Sequence, residues 1–101
     1  MNDTPQPASG GTAAEQYTGQ VLAGPGGAMT DEVGVITGDL TLTTSLGDDG
    51  LAHSRIQYTD ADEWYTLTGS PQKPPARGLR TLHEQTLKAV RTGGAAEAPR
   101  T

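Results

Sequence analysis

HEQTL, from His83 to Leu87, opens like the zinc-protease helix motif H-E-x-x-H. That motif works because two imidazoles one helical turn apart grip the metal while the Glu serves as base. Here the second imidazole position is Leu87, so the metal loses its anchor. His83 falls between Leu79 and Leu87 on a helical wheel and reads as a packed histidine with one ring nitrogen satisfied. The other histidine, His53, directly precedes Ser54. Neighbours on a strand point to opposite faces, so these two form no nucleophile–base pair within it. The chain has no Cys, which removes thiolate catalysis, thiolate metal sites and disulfides. A non-enzymatic protein is expected, with no catalytic residue, no metal ligand and no cofactor assigned.

Three other stretches carry the residue types of a ligand site. Asp60, Asp62 and Glu63 look like part of a calcium loop. A full loop needs more acids and a later bidentate Glu, whereas Trp64 follows here at once. Asp48 and Asp49 meet the same objection, being only two. Both clusters read as turns, with a weak, non-specific divalent-cation site as the functional alternative. GPGGAM follows a strand candidate at Gly24. A phosphate cradle needs G-x-G-x-x-G opening a helix. The third glycine position is Met29 and no apolar helix follows, so this stretch reads as a flexible loop.

IQYTDADEWYTLTG, from Ile56 to Gly69, holds the only Trp and two of the three Tyr around three acids. Period-two alternation groups Tyr58 with Ile56 and Tyr65 with Leu67, which assigns both tyrosines to the core. Trp64 falls on the other face, beside Thr66 and Thr68. In a two-layer fold that face meets water. Aromatic anchors dominate interface energetics. The candidate binding residues are therefore Trp64, Thr66, Thr68, Asp60, Asp62 and Glu63. A register slip of one residue would exchange the two faces.

The elements that must position these residues are legible in outline. QYTGQVL (Gln16 to Leu22) is a short strand candidate, and AGPGGAMTDE is a loop by its glycines and Pro25. In VGVITGDLTLTTSL, Leu40, Leu42, Thr44 and Leu46 share one face, with Thr41, Thr43 and Ser45 on the other. That is the pattern of a half-buried strand. Thr37-Gly38-Asp39 marks a bend or bulge, which leaves one strand or two open. GDDG (Gly47 to Gly50) makes a hairpin turn. LAHSRIQYT returns with Ala52, Ser54, Ile56 and Tyr58 on one face, DADE turns, and WYTLTG forms a last strand. Pro71, Pro74 and Pro75 then exclude helix and central strand.

The closing segment is a helix whose Leu79, Leu82, His83, Thr86, Leu87 and Val90 form one side. Arg77, Arg80, Glu84, Lys88 and Arg91 lie opposite, where Glu84 can pair with Arg80 and Lys88. Pro74 and Pro75 suit its entrance; a capping box of Thr81 with Glu84 is the alternative start. Gly93 is a natural stop. The expected architecture is α+β: an antiparallel β-meander of about four strands packed on one C-terminal amphipathic helix.

At 101 residues the chain is expected to hold one domain, and only 33% of it is hydrophobic, with no Phe. Residues 1–15 and 94–101 carry Pro, Gly, Ser and Ala without apolar periodicity and are expected to be disordered tails. Residues 16–93 remain to fold, and a domain of roughly 80 residues buries only about 60% of its unfolded surface. From Asp31 to Glu63 eight acids face one base, Arg55; from Lys73 to Arg91 five bases face one acid, Glu84. Such polarity speaks to partners and encounter rates. The net charge of −5 and a pI near 4.7 argue against nucleic acid as partner. No run approaches the ~20 apolar residues of a membrane helix, and no secretory signal follows Met1. A cytoplasmic protein, with no membrane partner, is expected.

YTDADEWYTLTGSP followed by ARGLRTLHEQTLKAVRTGG resembles short, functionally uncharacterised actinobacterial proteins of the Streptomyces type. The resemblance covers Tyr17 to Gly94 and implies no activity and no residue role. The residues themselves point to a protein–protein interaction module, binding an unknown protein partner or a second copy of itself. A small-ligand or divalent-cation binder, using the acidic turns or the GPGG loop, is the second expectation.

Overall fold

Leu40, Leu42 and Thr44 are buried while Thr41 and Thr43 between them are not, and this period of two builds the centre of the fold. A computed structural model describes residues 15–100. The expected N-terminal tail, apart from Glu15, lies outside the described residues. In chain order the elements are β1 (Gln16–Leu22), β2 (Ala28–Thr30), β3 (Gly34–Ile36), β4 (Asp39–Leu46), β5 (Ala52–Tyr58), β6 (Tyr65–Thr66) and α1 (Leu79–Thr92).

The main sheet is antiparallel with the order β1-β4-β5-β6, and β2 with β3 forms a second, two-stranded sheet. The GDDG hairpin joins β4 to β5; Gly50 N–H donates to Gly47 O, and Leu51 N–H donates to the Asp49 carboxylate, both at 2.9 Å. Helix α1 lies against β1 and β4. Its buried residues Leu79, Leu82, His83, Thr86 and Val90 match the expected stripe. Val90 packs with Leu40, Leu42, Ile56 and Leu67 in the main core, while Leu79 and Leu82 pack with Ala52 in a smaller one. This is the expected α+β arrangement. No helix among the described residues is long and apolar enough to cross a membrane.

The run from Val33 to Leu46 is two strands in two sheets. Gly38 sits at the break with φ 92°, a conformation that a residue with a Cβ adopts only under strain. The AGPGGAMTDE stretch is not all loop, since it contains β2. WYTLTG keeps only two residues in the main ladder. Beyond them Leu67 bridges to Thr30, Asp31 N–H donates to Thr66 O, and Thr68 N–H donates to Met29 O. The last strand is therefore a seam that ties the two sheets together.

Three further expectations are corrected. Tyr58 is exposed at 43%, because the alternation of β5 ends at Ile56. Gln57 turns inward instead and donates to Ala61 O at 2.8 Å. The helix begins at neither proline nor capping box: Gly78 occupies the N-cap without a side-chain bond, and Thr81 donates to Arg77 O.

The third concerns the C-terminal segment, expected as a disordered tail, which is ordered through Arg100 and packs on the domain. Ala96 and Ala98 join the main core. Gly94, Ala95 and Ala96 N–H groups donate to Pro25, Gly26 and Gly27 carbonyls, Met29 N–H to Ala96 O, and Ala98 N–H to Thr68 O. Apolar periodicity is absent because small alanines fill a shallow slot while backbone bonds supply the order.

Candidate functional site

The face of the main sheet turned away from α1 is laid out in rungs by the strand registers. One rung runs Thr18, Thr43, Arg55, Thr66; the next runs Gln16, Ser45, His53. All are outward-pointing positions of the alternation that buries Leu42, Thr44, Ser54 and Ile56. Trp64, arriving from the DADE turn just before β6, stands over this face and keeps 41% of its surface exposed. Together with Thr43, Ser45, His53 and Arg55 it lines a groove of about 460 Å³, which Gly47 and Gln16 extend to the sheet's end.

The polar groups of the groove differ in how far they are engaged. His53 Nε2 lies 3.0 Å from Asp49 Oδ2, an i,i+4 contact across the hairpin turn. The Asp49 carboxyl is held below its usual range, first by the Leu51 N–H and then by His53. The Arg55 guanidinium makes no hydrogen bond or ion pair with another described residue. Its charge acts on Glu32, but the Thr66 hydroxyl and N–H do more to hold that carboxyl below its ordinary value.

No protein family, curated protein or solved structure matches the chain.

The six candidate residues divide. Trp64, Asp60, Asp62 and Glu63 are exposed. Thr66 and Thr68 are half-buried and engaged: Thr66 N–H and Oγ1 donate to the two Glu32 oxygens at 2.8 Å each, and Thr68 Oγ1 donates to Asp31 Oδ1 at 2.8 Å. Their polar groups hold the β2–β3 turn to the seam, so they have little left for a partner. Sequence reasoning missed Thr43, Ser45, His53, Arg55 and Gln16. Each lies on a strand that the sequence pattern indicates, but only the pairing register brings them beside Trp64.

The other candidate stretches have structural employment. Gly24 N–H donates to Val90 O at 3.0 Å, capping the end of α1. A Cβ on Gly24 would fall 2.3 Å from Arg91 O, and one on Gly93 would fall 2.2 Å from Pro25 O. The GPGG stretch is thus a close backbone junction between loop and helix terminus. His83 Nδ1 lies 2.8 Å from Thr44 Oγ1, and its ring centroid is 5.7 Å from that of Tyr17. Among the described residues no group of three or more His, Asp or Glu is placed to hold a metal ion.

Proposed function

We propose that the chain is a non-enzymatic protein–protein interaction module whose contact surface is the open sheet face around Trp64. One observation carries this reading: an exposed indole shares a groove with Arg55, a guanidinium unengaged among the described residues. Trp and Arg are the side chains that most often dominate interface energies once desolvated. β5 carries Arg55 and the residue after Trp64 begins β6, so the sheet backbone fixes where both side chains start, and contact has mainly to order the side chains themselves. Acids flank the groove, with Asp48 and Asp49 near its Gly47 end and Asp60, Asp62 and Glu63 before Trp64. They suit a cytoplasmic partner with a basic rim and an acceptor for Arg55 at its centre.

The test is affinity capture from the native host's lysate with wild type, Trp64→Ala and Arg55→Ala, read by mass spectrometry. A protein held by the wild type and lost by both variants supports the proposal. Equal recovery by all three rejects it. The second reading, a small-ligand or divalent-cation site, draws on the groove's size, which lies within the roughly 300–1,000 Å³ of ligand pockets. Amide shifts of Thr43, Ser45 and Arg55 on adding calcium, magnesium or nucleotide would favour it over the first.

A further inference from the structure

The two edges of the main sheet are treated differently. Beyond β6 the seam with β2 and the C-terminal segment covers the backbone. Among the described residues strand β1 pairs only with β4. At the ends of that ladder Leu46 N–H donates to Glu15 O and Ala23 N–H to Gly38 O. Antiparallel pairing alternates residues that face the partner with residues that face away. Tyr17, Gly19 and Val21 therefore bond inward. The N–H and C=O groups of Gln16, Thr18, Gln20 and Leu22 point out of the sheet, and no described hydrogen bond reaches them.

Native edge strands are normally blunted by shortness, Lys, Pro or a bulge. β1 has none of these. It runs seven residues, QYTGQVL, without charge or proline, in unbroken register with β4. The other exposed strand, β3, has only three residues and opens on Gly34.

We infer that two copies of this chain join their β1 edges antiparallel, about a two-fold axis at Gly19, into one continuous sheet. Pairing at that register sets Gln16 opposite Leu22 and Thr18 opposite Gln20, each pair occurring twice. Every outward N–H and C=O of the strand then finds a partner. A strand without charge meets itself without repulsion, although the chain carries −5. On the helix side Tyr17 of one copy faces Val21 of the other in a close, non-hydrogen-bonded pair, the aromatic–β-branched type that stabilises sheets. Leu22, 71% exposed in the single chain, gains cover from the opposing strand.

The helices fit the same arrangement. α1 rides over β1 and β4. With strands ~4.8 Å apart, two such helices lie roughly 10 Å from each other, the spacing at which helices pack. Arg80 and Glu84, whose charges act on Tyr17 of β1, are opposite in sign, with Arg80 Nε 3.4 Å from Glu84 Oε2. An isologous two-fold contact is the commonest form of self-association, and a domain this small gains most from it. The inference does not depend on the Trp64 groove.

Sedimentation equilibrium of the full chain tests it, from about 1 μM to about 1 mM, the range of weak interfaces. The wild-type average mass should rise from 10.4 kDa to twice that value. Thr18→Pro removes an outward N–H and no internal bond; it should stay at the single-chain mass with an unchanged circular dichroism spectrum. Trp64→Ala should dimerise like the wild type. A second measurement uses the absence of native Cys. A mixture of Thr18→Cys and Gln20→Cys chains should form intermolecular disulfides several-fold more than either alone. A wild type that stays monomeric, or a Thr18→Pro chain that associates as the wild type does, overturns the inference. Preferential crosslinking of Thr18→Cys with itself overturns the Gly19 register.

Discussion

His83 Nδ1 meets Thr44 Oγ1 at 2.8 Å, with His83 only 6% exposed and Thr44 fully buried. This is a polar tie between helix and central strand inside an apolar layer. Removing one partner leaves the other buried without a bond, which costs about 1–3 kcal/mol. Thr44→Val, nearly isosteric, should lose stability in that range by urea denaturation, with the fold unchanged by NMR.

The same tie predicts a pH dependence. Burial holds the His83 imidazole below 6.5, opposed in part by Glu84; Tyr17 is the other titratable group stacked on it. The unfolded chain therefore takes up this proton more readily than the folded one. The contribution is fully present above the unfolded value and is lost as pH falls from 6.5 to the lower folded value. Urea midpoints should drop across that window, and His83→Gln should remove that part of the drop. A His83 ring titration midpoint at or above 6.5 would contradict it.

Glu32 offers a second titration at the sheet seam. Two bonds from Thr66 hold its carboxyl below 4.5. The stabilisation is present above 4.5 and lost as pH falls through the folded value. Thr66→Val keeps the backbone bond and removes the hydroxyl. The Glu32 carboxyl titration, followed by carbon NMR, should then move upward towards 4.5.

Gly24 is an obligatory glycine for reasons of space. Its missing Cβ would lie 2.3 Å from Arg91 O and 2.5 Å from Thr92 O. Backbone cannot swing aside as a side-chain tip does, so Gly24→Ala should cost at least the ~1–3 kcal/mol of ordinary overpacking. The thermal midpoint checks this; an unchanged midpoint would mean that the loop lies off the helix end.

Deleting residues 94–101 tests the docked C-terminal segment. The truncation loses backbone bonds to Pro25, Gly26, Gly27, Met29 and Thr68 and uncovers the core at Ala96 and Ala98. At ~1 kcal/mol net per bond the loss is several kcal/mol, a large part of a small domain's stability. Calorimetry should show a marked fall in midpoint, where a true tail would show none.

Local pattern was sufficient wherever the physics is local. Alternation in Leu40–Leu46 is enough to bury one face, because side chains of a strand take opposite sides by geometry alone. The leucine stripe of α1 follows from 3.6 residues per turn, and the GDDG turn from the backbone freedom of its residues. Trp64 on the open face follows from the same alternation, with Leu67 in the core. What only the tertiary structure decided depends on partners distant in sequence. Strand register sets Arg55 and His53 beside Trp64. The β2 seam claims Thr66 and Thr68 for Glu32 and Asp31, and the inward turn of Gln57 leaves Tyr58 outside. Ala96 and Ala98 become core because backbone bonds to β2 and Thr68 bring them into the cluster of Ala28 and Leu67, which no local periodicity can express. Side-chain pattern tells which face a residue takes, whereas long-range backbone bonds decide which residues share that face.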